Sequence, residues 1–149
     1  MRAELPKIFA ASGAIFVYAT AEPEEALLLG GRTATLNEGR VTQFGPTVDV
    51  YRRPAPLDTA ATFSAPPLNT VAMVKAGSTF RHASHGTEVP VPPAFASLAD
   101  GPYTLGVRPH HLSLAPRAGE AISLTGTVGI TEITGSESFV HLTCTGEEW

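Results

Sequence analysis

The pattern of hydrophobic and polar positions changes character near residue 65 of the 149-residue chain. Before that point, apolar residues recur at helical spacing in 1–12 and again in 22–29. Between them lies an uninterrupted apolar run, 14–19, which is typical of a strand buried on both faces. Thr20 is expected to cap the second helix. The helix–strand–helix order indicates the edge of an α/β sheet.

A hairpin follows this first pattern. The segments 33–36 and 40–44 are short, β-prone and separated by Asn-Glu-Gly, so they predict two strands around a tight turn. A short helix is expected after Pro46, and one or two helical turns are expected at 58–64.

After Pro66-Pro67 the pattern becomes one of short strands divided by turn glycines. The predicted strands are 68–75, 78–84, 87–91, 103–107, 111–114, 122–132 and 138–144. Strands of this length and spacing predict a small barrel or sandwich. The fold class is therefore α+β overall, with a boundary near residue 65.

Composition narrows the function classes. The net charge of −4 gives no general attraction to phosphate backbones, so nucleic-acid binding is not expected. No apolar run approaches the length that spans a bilayer, and the chain is expected to be cytoplasmic. The single cysteine, Cys144, allows no internal disulfide and lies in an alternating segment, which favours a packed strand cysteine over a nucleophile, although nearby His141 leaves the second reading open.

Four histidines raise the question of a metal site. His82 and His85 are three apart, and His110 and His111 are adjacent. Zinc requires three or four convergent ligands, whereas residues at these spacings on a strand face opposite sides. Only a tight turn would bring His82 and His85 together. No metal site is expected.

Several segments, taken in order, resemble one family. Residues 14–44 carry an apolar strand, a Glu25-Ala26 helix and a hairpin built around Gly39-Arg40. They resemble the end of the nucleotide-binding domain in ATP-binding subunits of ABC importers for sugars and glycerol phosphate. The other matching segments are 45–54, 63–69, Gly-Val-Arg-Pro-His-His-Leu at 106–112, Gly-Thr-Val at 126–128 and Gly-Ser-Glu at 135–137.

The resemblance implies two domains. Residues 1–64 would be the C-terminal remnant of an α/β nucleotide-binding domain. Residues 65–149 would form a mostly β, OB-like barrel, the transport-associated (TOBE) domain, which in the family continues beyond Trp149. The chain is accordingly expected to be a fragment of such a subunit.

The resemblance also implies that this chain is not an enzyme. The sequence has no Gly-x-x-x-x-Gly-Lys-Ser/Thr loop to cradle phosphates. The family's switch histidine, which would contact the γ-phosphate, corresponds to Ala21. No catalytic residue and no cofactor are therefore assigned to this chain, although the parent family uses ATP and Mg²⁺.

The function expected from the resemblance is regulation and dimerisation within an importer of a solute, expected to be a carbohydrate, with the chain peripheral to the inner face of the cell membrane. Expected partners are a second copy, transmembrane permease subunits, and a regulatory protein or small ligand. The alternative is a barrel that senses an oxyanion or a sugar. The interface or ligand candidates are Arg108, His110, His111, Gly135, Ser136 and Glu137.

Overall fold

The computed structural model describes residues 5–115, 122–144 and 146–149, and the chain divides into two compact units, Met1–Ser64 and Ala65–Trp149. The first unit contains α1 (Leu5–Ser12), α2 (Pro23–Leu29), β1 (Arg32–Asn37), β2 (Arg40–Pro46), α3 (Thr47–Arg52) and α4 (Leu57–Thr62). The second contains β3 (Asn69–Ala76), β4 (Thr79–His82), β5 (Glu88–Pro90), β6 (Gly101–Val107), β7 (Gly126–Ile133), β8 (Ser138–Cys144) and β9 (Glu147–Glu148). Two 3₁₀ turns cover Pro93–Phe95 and Pro109–His111.

The hairpin in the first unit forms where the sequence predicts it. β1 and β2 pair antiparallel, and the turn between them is Glu38-Gly39. Both turn residues have positive φ, 48° and 74°, as the tightest hairpin turns require. Glycine tolerates this conformation without a steric cost, and Gly39 therefore fixes the register of the hairpin.

The buried face of this hairpin is lined by threonine hydroxyls. The Oγ1 atoms of Thr35 and Thr59 lie 2.9 Å apart, and those of Thr33 and Thr47 lie 2.8 Å apart. Thr59 and Thr47, which belong to α4 and α3, are fully buried. Because a buried hydroxyl without a partner is costly, these hydrogen bonds are what allows the short helices to pack on a polar face. Val50 contributes the apolar part of the packing.

The strand expected at 14–19 does not form. Residues 13–20 have no regular structure, and Ile15 and Val17 are 97% and 96% exposed. A buried parallel strand requires hydrogen-bonded neighbours on its edges, and no strand among the described residues pairs with this segment. The α/β sheet edge predicted for the first unit is therefore absent from the described structure, which has a two-stranded antiparallel sheet instead.

The helices agree with the sequence except at one cap. α1 lies within the predicted 1–12, and α2 ends at Gly30, whose N–H bonds the Ala26 carbonyl at 3.0 Å. Thr20 is not the cap of α2, because Glu22 occupies that position. Thr20 Oγ1 instead accepts the N–H of Glu22, the cap residue itself, at 2.9 Å, from a position two residues before the cap. No helix in the described ranges is long and apolar enough to cross a bilayer.

The second unit consists of two antiparallel sheets, ordered β5-β4-β3-β6 and β7-β8-β9. β3 alternates strictly, so Val71 and Met73 are buried while their neighbours are exposed. Together with Phe80 and Val89 they form the core, and Trp149 packs against it. The unit is mostly β, as the sequence predicts.

In the second unit one strand prediction was wrong, one was wrong in part and one strand was missed. Residues 111–114 form no strand, because Pro109–His111 takes a 3₁₀ turn and Pro109 cannot donate to a ladder. β7 begins only at Gly126, so 122–125 are not in it. The short β9 was not predicted. Through the described residues the strands form two separate sheets rather than one ring of paired strands.

Candidate interaction site

The first group of sequence-predicted residues lies at the corner that follows β6. Arg108 is 8% exposed and precedes the 3₁₀ turn Pro109–His111. The proline stops the strand ladder, and the turn places two histidines at the surface. The rings of His110 and His111 meet edge to face, with centroids 4.4 Å apart. This corner therefore combines a buried guanidinium with an exposed aromatic pair.

The second group forms the turn between β7 and β8. The Glu137 carbonyl accepts hydrogen bonds from the backbone N–H of Thr134 at 3.0 Å and from its hydroxyl at 3.1 Å. Gly135 has a φ of +97°, a conformation that favours glycine. Gly135 and Ser136 thus have an evident role in closing the hairpin, whereas the Glu137 side chain is exposed. The six candidates belong to two different elements, the corner and this turn.

The β7–β8 hairpin exposes apolar side chains. Every residue of β7 is exposed, including Val128 at 58% and Ile133 at 80%. Register places Val128 opposite Leu142 and Thr131 opposite Val140, so Val128, Ile133 and Val140 share one face. An exposed apolar face on a twisted hairpin is typical of a contact surface. These strand residues were missed at the sequence level, because alternation alone does not tell which face a partner covers.

The other face of the hairpin brings a carboxylate beside an imidazole. Glu132 Oε1 lies 3.4 Å from His141 Nε2, and both side chains are more than half exposed. Polar side chains therefore meet on this face of the hairpin.

The remaining histidine pair does not form a metal site. The turn after β4 brings the rings of His82 and His85 to 4.9 Å, which strand geometry alone would not allow. However, His82 Nδ1 accepts the N–H groups of Ser84 and His85 at 3.1 and 3.0 Å, so its proton lies on Nε2. Neither nitrogen of His82 then offers a free lone pair. In 5–115, 122–144 and 146–149 no three His, Cys, Asp or Glu side chains converge.

Cys144 is a packed strand cysteine. It is 4% exposed at the end of β8, and burial raises the pKa of its thiol. Its Sγ lies 3.6 Å from the Thr125 carbonyl oxygen. A thiol that is buried and held protonated is a poor nucleophile.

The position that corresponds to the switch histidine carries no polar side chain. Ala21 is exposed and offers only a methyl group where the resemblance would place the switch histidine. The polar groups nearby are engaged with one another: Glu25 Oε2 accepts the hydroxyls of Thr20 at 2.6 Å and Tyr18 at 3.0 Å. No step of nucleotide chemistry is assigned to them.

One buried charge was not anticipated. Lys75 is 5% exposed, and its Nζ lies 2.9 Å from Asp100 Oδ1. The Lys75 hydrogen bond, followed by the Gly77 N–H, holds the pKa of Asp100 below its ordinary value. The signal was available in Val71-x-Met73-x-Lys75, where alternation puts the lysine on the buried face.

Comparison with known proteins places these features in a family context. Residues 105–148 match the model of the TOBE domain, a span that contains the Arg108 corner and the β7–β8 hairpin. The chain is 33% identical over 95% of its length to the sn-glycerol-3-phosphate import ATP-binding protein UgpC 3 of Agrobacterium fabrum. It is 32% identical over 95% to the xylose/arabinose import ATP-binding protein XacK of Haloferax volcanii. It is also 32% identical over 99% to UgpC of Vibrio vulnificus.

These matches confirm the resemblance to ATP-binding subunits of sugar and glycerol-phosphate importers. The chain spans about two fifths of the length of these curated relatives, with 39%, 37% and 38% of each covered.

Proposed function

We propose that this chain, which carries a TOBE domain and is similar to part of the ATP-binding subunits of ABC importers, is the regulatory and dimerisation portion of such a subunit. The imported solute would be a carbohydrate or a glycerol phosphate, as the names of the relatives suggest. Its partners would be a second copy and the permease subunits, at the inner face of the cell membrane. Residues 1–64 would be the end of the nucleotide-binding domain.

The single observation that carries this proposal is the apolar face of the β7–β8 hairpin, which lies within the TOBE match. Val128, Ile133 and Val140 are 58%, 80% and 40% exposed on one face. Burying such side chains fully contributes about 1.5–3 kcal/mol each relative to leaving them in water, so they would supply the apolar centre of a larger pairing surface. We propose this face as the pairing surface.

Light scattering across a concentration series tests the pairing. We expect a dimer for the unmutated chain and a shift toward monomer for Ile133→Lys, because the lysine charge would have to be desolvated at the pairing surface. Leu114→Lys is the matched control, since Leu114 is 93% exposed outside the hairpin and its change should leave the mass unaltered. A monomeric parent chain, or equal effects of both lysines, would contradict the proposal.

The alternative is a ligand-sensing role for the second unit. Its support is Arg108, because a guanidinium buried at a strand end suits a carboxylate or an oxyanion. Thermal unfolding with phosphate, sulfate and simple sugars separates the two functions. A ligand-dependent rise in Tm that Arg108→Met abolishes would favour sensing, and no rise with a stable dimer would favour pairing.

A further inference from the structure

His82 closes the turn that follows β4 through its ring. It is 3% exposed, and its Nδ1 faces the backbone N–H groups of Ser84 and His85 at 3.1 and 3.0 Å. The proton therefore lies on Nε2, which is buried and has no hydrogen-bond partner among the described residues. A buried donor without a hydrogen-bond partner is costly, so the ring owes this orientation to the two hydrogen bonds that Nδ1 accepts.

The turn places the imidazole of His85 against the β7-β8-β9 sheet. His85 lies against Gly146, so closely that a Cβ added at Gly146 would overlap His85 Nε2. Gly146 also has a φ of +81°, which disfavours any other residue. The 82–85 turn and the glycine are therefore fitted to each other across the two sheets of the second unit.

The glycine leads directly into the segment that covers the core. Trp149 exchanges two backbone hydrogen bonds with Leu142, at 2.7 and 2.8 Å, and its side chain packs on the core that includes Phe80. The path from His82 to Trp149 thus runs through His85 and Gly146. A change in the turn would therefore act on residues 146–149, which pair with β8 and pack on the other sheet through Trp149.

We propose that His82 is a proton-operated latch between the two sheets of the second unit. Taking up a proton at Nδ1 replaces an acceptor with a donor that faces two N–H groups, so both hydrogen bonds are lost. The turn opens, His85 leaves Gly146, and the Trp149 segment is released.

The neighbouring charges of the four-stranded sheet are already paired. Lys75 shares the buried face with His82, since Met73 lies opposite His82 and Phe80 lies opposite Lys75 in the ladder. The Lys75 ammonium is bonded to Asp100. Arg81 lies on the opposite face of β4 and is paired with Glu88 of β5.

On the other sheet, Glu147 and Glu148 of β9 follow Gly146, and the buried Cys144 pairs with Glu147 in the ladder. Both glutamates are exposed. Glu132 and His141 of the same sheet are more than half exposed and lie 3.4 Å from each other. The proton that opens the latch is assigned to His82 and not to His85, because it is the His82 Nδ1 that accepts the two N–H groups holding the turn.

The single tryptophan makes the test direct. Fluorescence of Trp149 is followed from pH 8 to pH 4 in the whole chain, with far-UV circular dichroism to confirm that the fold persists. We expect a reversible transition in the parent chain and none in His82→Asn, because the Asn Oδ1 can accept the same two N–H groups and takes up no proton. His85→Gln should retain the transition, and His141→Gln is a surface control that should do so too.

Nuclear magnetic resonance supplies a readout independent of the variants. Nitrogen-15 spectra at pH 8 should show the proton of His82 on Nε2. Amide protection at Ser84 and His85 should fall about tenfold on acidification in the parent chain, and not in His82→Asn. A proton on Nδ1 at pH 8, a parent titration identical to that of His82→Asn, or a transition that only His85→Gln removes would each overturn the proposal.

Discussion

The two units of this chain bury opposite faces of their alternating strands. The second unit buries the apolar face, and the first unit buries the polar face. In the four-stranded sheet, Val71, Met73 and Phe80 point inward and are less than 10% exposed. In the β1–β2 hairpin, Leu36 and Phe44 point outward and are 65% and 60% exposed. The same alternation therefore builds a core in the second unit and a surface in the first.

The difference follows from what each sheet has to pack against. The short helices α3 and α4 present Thr47 and Thr59 to the hairpin, and the buried hydroxyls satisfy one another. The apolar face is left outside the unit, where Arg32 covers Phe44 at 4.6 Å from the ring centroid. Exposed apolar side chains of this kind are typical of a contact surface.

The largest expected effect comes from making the same substitution, phenylalanine to alanine, once in each unit. Phe80→Ala removes a ring that is fully buried, so the free energy of unfolding should fall by about 3–5 kcal/mol. Phe44→Ala removes an exposed ring and should cost no more than about 1 kcal/mol, most of it from the contact with Arg32. Urea unfolding followed by Trp149 fluorescence and circular dichroism measures both. Equal losses would show that the apolar face of the hairpin is not exposed.

A smaller effect tests the hydroxyl network of the first unit. Thr59→Val keeps the shape of the side chain and removes one partner of Thr35, whose hydroxyl keeps its hydrogen bond to Thr42 at 2.8 Å, so the unit should lose about 1 kcal/mol. Thr62→Val on the same helix is the matched control, because Thr62 is exposed and its change should stay within about 0.5 kcal/mol. Amide exchange of β1 and β2 reports each loss locally. A Thr59→Val chain as stable as the control would mean that the hydroxyls are not needed for packing.

The smallest effect concerns Asp100, the partner of the buried Lys75 in the second unit. Because the Asp100 pKa is lower in the folded chain than its ordinary 3.8, its contribution is complete above that value and is lost as the pH falls through the folded pKa. Asp100→Asn should therefore lower the urea midpoint at pH 7 and flatten its decline below pH 4. The carboxylate is well exposed, so the change should be modest. An unchanged pH dependence would contradict it.

The elements set by local chemistry were predictable. The Glu38-Gly39 turn fixed the first hairpin, and β8 matches its predicted range at Ser138–Cys144. The strand at 14–19 was wrong, because a run of apolar residues becomes a strand only beside another strand. The 111–114 strand was wrong for a local reason, the 3₁₀ turn that begins at Pro109.

The candidate sites were harder to predict than the elements. Position in a motif identified Arg108 and His111 as residues of interest, but their roles remain a prediction. The sequence could not place the His82 ring on the turn, because a contact between residues three apart depends on the turn's backbone. It also could not connect His85 with Gly146, since 60 positions separate them along the chain and only the folded sheets bring them together.

The sequence by itself determined the family resemblance, the change of pattern near residue 65 and the positions of most strands, because turn chemistry and two-residue alternation are properties of neighbouring residues. The tertiary structure alone decided which face of each sheet is buried, the pairing of Lys75 with Asp100, and the tautomer of His82. These depend on burial and on partners far apart in the chain, which alternation leaves open.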